Sequence, residues 1–174
     1  MQSIPSLKGA LADAWKRTLD EYWEARINSE STLQAVFFGH IRAVLPECAV
    51  FCEPTIQLRS LGTANPDILV VSGNMVIAAI ELKFAPHHFP RFEDDLRKLR
   101  RYRKYPKPFE LALDPLTGQF AATRAKFGAN CLFVFAVIGR HDAVATDKDV
   151  LNTAARLERQ FLPLVCKVPG ARSP

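Results

Sequence analysis

The chain has 174 residues, of which 48% are hydrophobic and 24% charged, and these proportions exclude an intrinsically disordered protein. A chain of this length is most simply one domain with an ordinary hydrophobic core, so we expect residues 1–174 to form a single domain. The formal net charge of +5 suits a polyanionic partner such as nucleic acid, although charge alone does not establish one.

The cysteines and the apolar segments indicate no structural zinc, disulfide framework or membrane anchor. The four cysteines form no C-x-x-C pair, and no histidine stands at ligand spacing to them. The N-terminal segment is charged throughout, unlike a signal peptide, and the longest apolar run, CLFVFAVI at 131–138, is too short to cross a bilayer. We therefore expect a soluble cytoplasmic protein with free thiols.

The first part of the chain predicts two helices. Apolar residues recur at helical spacing across residues 6–27, which predicts an N-terminal helix. Ser29 is typical of an N-cap, so a second helix is expected over residues 30–44, ending before Pro46.

Strands are predicted next. Three β-like runs succeed one another: AVFCEPTIQLR (49–59), DILVV (67–71) and MVIAAIELKF (75–84). Pro54 interrupts the first run, which suits an edge strand or a β-bulge. Ser72, Gly73 and Asn74 lie between the second and third runs and are typical of a hairpin turn.

A basic helix is predicted after the hairpin. The segment FEDDLRKLRRYRKY (92–105) has acids in its first turn and bases in its last, as the helix dipole favours. Helical spacing predicts that one stripe of this helix consists of Phe92, Leu96, Leu99 and Arg103. Residues 106–129 are punctuated by Pro and Gly and favour no assignment.

The last part of the chain predicts one buried strand and one helix. Residues 131–138 are apolar on both faces, which indicates a central strand parallel to a neighbour. A final helix is expected over 147–162, capped by Asp147 or Asp149, and after it a frayed tail. The order α-β-β-β-α-β-α predicts an α/β fold with a mixed central sheet flanked by helices on both faces.

The predicted hairpin carries three charged side chains near the ends of apolar strands. With a three-residue turn, Asp67 would lie opposite Ala79 and point to the same face as Glu81 and Lys83. A two-residue turn would move Asp67 to the opposite face, and the uniformly apolar strands do not decide between the two registers. On one face, the two carboxylates could close on a single cation.

The segments Pro66-Asp67 and Glu81-Leu82-Lys83, separated by thirteen residues, resemble the signature of the PD-(D/E)XK nuclease superfamily, which has a restriction endonuclease-like fold. The predicted α-β-β-β-α-β order is similar to the common core of that superfamily and covers about residues 29–138. The helices 6–27 and 147–162 lie outside it.

The resemblance implies a metal-dependent active site. Asp67, Glu81 and the backbone carbonyl of Leu82 would hold Mg²⁺, or Mn²⁺ in its place. Lys83 would orient the attacking water or stabilise the phosphorane. The superfamily often places an acid on its first core helix, and Glu30 stands at that position here, although first-turn acids also occur for the sake of the helix dipole.

The basic run on the predicted helix 92–105 offers contacts to phosphate groups. These contacts would be independent of sequence and sensitive to salt, and their residues are Arg97, Lys98, Arg100, Arg101 and Lys104. Tyr102 and Tyr105 could stack on bases. The alternative is a solvated helix face whose charges are balanced by the acids of its first turn.

The expected function is metal-dependent hydrolysis of phosphodiester bonds in nucleic acid by an endonuclease, and DNA is expected as the substrate more than RNA. A homodimer would suit cleavage of two strands, but the sequence identifies no interface. Two alternatives remain open: a nucleic-acid-binding module that kept the fold without turnover, and a protein-interaction subunit whose basic character is incidental.

Overall fold

The computed structural model describes residues 4–58, 62–87, 92–112, 122–140 and 148–168. Its helices are α1 (Ile4–Trp23), α2 (Glu30–Val44), α3 (Glu93–Arg103) and α4 (Lys148–Leu157). Its strands are β1 (Ala49–Cys52), β2 (Ile56–Leu58), β3 (Gly62–Ala64), β4 (Ile68–Ser72), β5 (Met75–Ala85), β6 (Phe109–Ala112), β7 (Ala122–Arg140) and β8 (Phe161–Val168). Over these residues the chain is an α/β fold with four helices and one mixed, open sheet of eight strands.

The long strand β7 organises the sheet. Its C-terminal half runs parallel to β5 on one side and parallel to β8 on the other, so that Phe135 pairs with Glu81 and with Pro163. Its N-terminal half pairs antiparallel with β6. A strand between two parallel neighbours is covered on both faces and therefore needs apolar side chains in both directions. The prediction of a central parallel strand at 131–138 is confirmed.

The sheet separates two hydrophobic cores. On one face, α1 and α2 pack on alternate residues of β4, β5 and β7, including Ile80 and Val134. On the other face, α3 and α4 pack on the intervening residues, including Ala79 and Phe133. Because strand side chains alternate with period 2, this division also decides which charged residues meet which helix.

The register of the β4–β5 hairpin is set by a two-residue turn together with a bulge. Ser72 pairs with Met75 across Gly73 and Asn74, and Ile77 is left over where the register shifts. The short turn alone would move Asp67 to the α2 face, but the surplus residue moves it back. Extending the Ile68–Ile80 pairing by one residue places Asp67 directly opposite Glu81, and not opposite Ala79 as a three-residue turn would.

The predicted single strand over 49–59 is wrong. The segment forms β1 and β2, which pair with β4 and with β6 in different parts of the sheet. Pro54 has no N–H to continue a ladder, and the neighbouring Glu53 takes a positive φ of 48°. The chain therefore turns at this point and leaves one strand pairing for another.

The C-terminal part also differs from its prediction. The helix expected over 147–162 ends as α4 and a short 3₁₀ turn, Glu158–Gln160, where Glu158 has a φ of 49°. The chain then continues as β8, which tolerates Pro163 because it pairs only with β7 among the described strands. Residues 169–174, predicted as a frayed tail, lie outside the described residues.

The end of α1 also differs from its prediction, and strands occupy part of the segment 106–129. α1 ends at Trp23 and not at residue 27, and Ala25 just beyond it has a positive φ of 59°. The unassigned residues 106–129 contain β6 and the first half of β7. None of the described helices has the length and apolar character needed to span a membrane.

Substituting Gly73 tests the hairpin turn. Its φ of 59° is left-handed, so we expect Gly73→Ala to lower the free energy of unfolding by about 1 kcal/mol. The matched control is Gly39→Ala in the exposed middle of α2, where a new Cβ would meet no atom within 4 Å. That substitution should raise stability by about 0.5–1 kcal/mol, because glycine is costly in a helix. Urea unfolding of both variants measures these values, and equal effects would contradict the assigned turn.

Candidate active site

Charged side chains from three elements meet where β5 emerges from the sheet. We call this group the acid–lysine cluster, and it consists of Glu30, Asp67, Glu81, Lys83, Asp95 and Lys98. The β4–β5 hairpin contributes Asp67, Glu81 and Lys83 to the α3 face, α3 contributes Asp95 and Lys98, and the first turn of α2 contributes Glu30. The structure therefore brings together the four residues that the sequence predicted to be catalytic.

Asp67 is held through both its backbone and its carboxylate. Its carbonyl accepts hydrogen bonds from the N–H of Glu53 and from Nε2 of Gln34 on α2, each 2.9 Å long. Its Oδ2 accepts a hydrogen bond from the N–H of Leu82. Burial raises the pKa of Asp67 to about 6, and the Leu82 hydrogen bond and Lys98 oppose that rise. Gln34 thus positions this acid, although no pattern in the sequence distinguishes it from other polar helix residues.

Leu82 presents backbone polar groups to Asp67. In an extended strand the N–H and C=O of one residue point toward the same neighbour. Since the Leu82 N–H binds the Asp67 carboxylate, the Leu82 carbonyl faces the same side of the strand. Its side chain packs on the opposite face, among the residues covered by α1 and α2. Its predicted role as a backbone ligand remains a prediction.

Glu81 is fully buried, with 0% of its side chain exposed. Lys98 Nζ lies 2.7 Å from its Oε2, and the Tyr102 hydroxyl donates a 3.2 Å hydrogen bond to its Oε1. Burial raises the pKa of Glu81 to about 8, Asp67 adds to that rise, and Lys98 opposes it. A buried carboxylate is costly unless it is paired and hydrogen-bonded, and these two partners supply that compensation.

Lys83 lies between two carboxylates. Its Nζ is 3.3 Å from Asp95 Oδ2 and 3.6 Å from Glu30 Oε2. Burial lowers the pKa of Lys83, but Asp95 and Glu30 outweigh that effect and the net shift is upward. The ammonium group is therefore charged at neutral pH, and it interacts electrostatically with Asp67 as well.

Glu30 reaches the cluster from the start of α2. Ser29 caps this helix in a reciprocal capping box with Thr32, which confirms the predicted N-cap. The Glu30 side chain is 49% exposed, so this acid is only half-buried. Its Oε2 accepts a 3.0 Å hydrogen bond from the N–H of Phe84 at the end of β5.

Asp95 is the acid that sequence reasoning missed. It is buried on α3 and lies between the two lysines, with Oδ1 3.5 Å from Lys98 Nζ and Oδ2 3.3 Å from Lys83 Nζ. In the sequence, Asp95 is one of three acids in the first turn of the helix, a position where the helix dipole alone accounts for negative charge. The spacing of Asp95, Lys98 and Tyr102 at i, i+3 and i+7 could have identified a polar stripe.

Besides Asp95, the buried side of α3 differs from the prediction at its C-terminal end. Tyr102 is buried and Arg103 is exposed, so the stripe passes from Leu96 and Leu99 to Tyr102. Tyr102 stacks on Phe127 with 5.5 Å between ring centroids, and it is 1% exposed. Tyr105 is 3% exposed. The prediction that these two tyrosines could stack on bases is wrong, because both rings are in the core.

The predicted phosphate-binding residues of α3 point in several directions. Arg97 pairs with the exposed acids Glu93 and Asp94 of its own helix. Arg100 donates a 2.8 Å hydrogen bond to Thr153 on α4, and Lys98 binds the cluster. Arg101 and Lys104 are exposed. Contact of these five residues with nucleic acid remains a prediction.

The comparisons with known protein families, with curated proteins and with solved structures gave no match. The superfamily resemblance therefore continues to rest on the residues and on the order of the elements.

The cluster has carboxylate oxygens of the type that a hard divalent cation prefers, and its carboxylates already have hydrogen-bond or ion-pair partners in the protein. No group of three or more His, Cys, Asp or Glu side chains within the described ranges is arranged to hold a metal ion. The carboxylates of Asp67 and Glu81 nevertheless interact, since the like charge of Asp67 raises the pKa of Glu81. A cation beside them would relieve that repulsion, and oxygen ligands suit Mg²⁺. These oxygens are of the type that Mg²⁺ prefers, and Glu81 could supply one only after its release from Lys98.

The raised pKa of Glu81 predicts a dependence of stability on pH. Between its ordinary pKa of 4.5 and its folded value of about 8, the folded state holds a proton that the unfolded state releases. Stability therefore falls as the pH rises through this window, by up to about 1.4 kcal/mol per pH unit. We expect Glu81→Gln to reduce that slope above about pH 6.5, where Asp67, with a pKa of about 6, is mostly ionised.

Urea unfolding in EDTA, at several pH values from about 6.5 to 8, measures the slope. Glu110→Gln on β6 is the control, because this exposed acid lies outside the cluster and should leave the slope unchanged. Parallel profiles for the wild type and Glu81→Gln would contradict the assigned burial.

Proposed function

We propose that this protein is a metal-dependent nuclease that hydrolyses phosphodiester bonds, with DNA as its preferred substrate. The observation that carries the proposal is the convergence of Asp67, Glu81 and Lys83 on one face at the end of β5. Their sequence pattern and their spatial arrangement are independent, because only the bulge at Ile77 puts Asp67 on that face. The agreement between the two supports an active site.

The order of the elements supports the same proposal. The elements α2, β1, β4, β5, α3 and β7 have the order α-β-β-β-α-β that we expect for a restriction endonuclease-like core, with β2 and β3 inserted after β1 and β6 inserted before β7. The proposed core, about residues 29–138, then receives α1 on one face and α4 with β8 at its end. The superfamily resemblance, and not the geometry, favours DNA over RNA.

In the proposed mechanism, Asp67, Glu81 and the Leu82 carbonyl hold Mg²⁺ or Mn²⁺. When bound, the ion would supply Lewis acidity and lower the pKa of a water molecule. Lys83 donates a hydrogen bond to the attacking water or to a phosphoryl oxygen, where its charge stabilises the transition state. Glu30 and Asp95 keep that ammonium charged and fix its position.

One observation favours a second candidate function. The ammonium of Lys98 already lies 2.7 Å from Glu81 Oε2, as it would in a nucleic-acid-binding module that kept the fold without turnover. Such a module would bind DNA in a salt-dependent way and would leave it uncut in the presence of Mg²⁺ or Mn²⁺. The same cleavage assay therefore distinguishes the two functions.

Cleavage of circular single- and double-stranded DNA with Mg²⁺ or Mn²⁺ tests the nuclease. We expect Asp67→Ala to reduce cleavage by at least roughly a hundredfold, since even the outer partners of metal ligands contribute tenfold to a hundredfold. Asp13→Ala, an exposed acid on α1, is the matched control and should cleave normally. Cleavage that persists in Asp67→Ala or in EDTA would identify a contaminant. DNA that is bound by the protein but not cut would favour the binding module.

A second variant separates metal binding from chemistry. Because Lys83 is a cation and not a ligand, Lys83→Ala should keep most of the affinity for Mg²⁺ while cleavage falls by roughly 10²–10³-fold. Isothermal titration calorimetry measures the first quantity and a gel assay the second, with the exposed Lys16→Ala on α1 as control. Loss of metal binding together with Lys83 would overturn its assigned role.

A further inference from the structure

We propose that Lys98 is an internal counter-ion of the metal site, whose ammonium group occupies the cation position on Glu81 until a divalent cation displaces it. The inference rests on the proposed metal site and adds a step to it. The metal would bind by exchange with a side chain of the protein, and not by filling a vacant group of carboxylates. Lys98 would thereby set how tightly the site holds its ion.

The contacts of Lys98 place its charge where a metal ligand must be free. Its Nζ is 2.7 Å from Glu81 Oε2 and 3.5 Å from Asp95 Oδ1. A Mg²⁺ ion lies only about 2.1 Å from its oxygen ligands. An ion bound to the same Glu81 oxygen would stand close to the ammonium, and the two positive charges would repel each other. Release of the ammonium would remove this repulsion.

Lys98 is the cluster member best able to move. Asp67 is anchored by the Leu82 N–H and Glu30 by the Phe84 N–H, so both are fixed to the backbone of β5. Lys98 instead reaches the cluster on a flexible four-carbon stem and is 38% exposed, while Glu81 is fully buried. Its ammonium can therefore return to water without disturbing the strand.

The charge balance of the cluster also favours the exchange. With all six side chains ionised, four carboxylates and two ammonium groups give a formal charge of −2. Replacing the Lys98 ammonium by a divalent cation changes this value to −1. The exchanged state has the smaller excess of buried negative charge, so a divalent cation can compete with an ammonium group that is already in place.

The test is calorimetric titration of Mg²⁺ at about pH 8.5 and at higher pH, because Lys98 lowers the pKa of Glu81 and its removal raises that pKa. We expect Lys98→Met to bind Mg²⁺ roughly tenfold to a hundredfold more tightly than the wild type, since a charge-assisted hydrogen bond no longer has to be broken. Arg103→Met is the matched control, because it removes one positive charge from an exposed position on the same helix. Its Mg²⁺ affinity should equal that of the wild type.

Thermal unfolding provides a second readout. In EDTA, Lys98→Met should melt below the wild type because Glu81 loses its counter-ion, and Mg²⁺ should raise its melting temperature by more than that of the wild type. Lys98→Gln keeps a hydrogen-bond donor without the charge. It should also bind Mg²⁺ more tightly than the wild type, by a smaller factor, and it keeps the inference testable where the methionine variant fails to fold.

The outcomes separate this inference from the proposed function. Equal or weaker Mg²⁺ binding by both Lys98 variants, the same gain in Arg103→Met, or no binding by any variant would overturn the inference. If the wild type cuts DNA but the Lys98 variants show no gain in affinity, the nuclease stands and the counter-ion fails. If the gain is measured and DNA stays uncut, the metal exchange stands and the nuclease fails.

Discussion

The buried carboxylate of Glu81 is the constraint on which the rest of the site depends. It lies on a strand within the sheet, where water cannot solvate it, so protein groups must provide its compensation. Lys98 and Tyr102 provide it from α3, and that requirement fixes which side of α3 faces the sheet. The same orientation buries the apolar stripe of α3 and carries Asp95 to Lys83. Core packing and charge compensation thus select one helix orientation.

The bulge in the hairpin links the core to the cluster. β4 is buried from Ile68 to Val71, so either register of this strand would bury apolar side chains equally well. The surplus Ile77 on β5 decides between them and puts Asp67 on the face of Glu81. A residue remote from the charged groups therefore determines whether two carboxylates meet. Because β4 is apolar on both faces, the bulge leaves its apolar side chains buried, and the register can be the one that brings the two carboxylates together.

Features that depend on short-range pattern could be predicted from the sequence. Periodicity was enough for the capped helix α2, the hairpin strands and the buried strand at 131–138, and spacing was enough for the acids and lysine of the hairpin. The surplus residue in the hairpin escaped prediction, since apolar strands do not report register. β8 was not predicted, because the apolar residues at its start also continue the pattern of the preceding helix. Asp95 escaped because a first-turn acid already has a local explanation, and only the tertiary contact with Lys83 reveals another one.

The basic residues of α3 contact different partners, although they are close together in the sequence. Successive residues rotate by about 100°, so Arg97 meets acids of its own helix, Lys98 meets Glu81, and Arg100 meets α4. A uniform phosphate-binding face is therefore not what this run provides. Lys98 has the greatest consequence, because its ammonium group already contacts the buried acid Glu81. Any cation that binds Glu81 must therefore compete with Lys98.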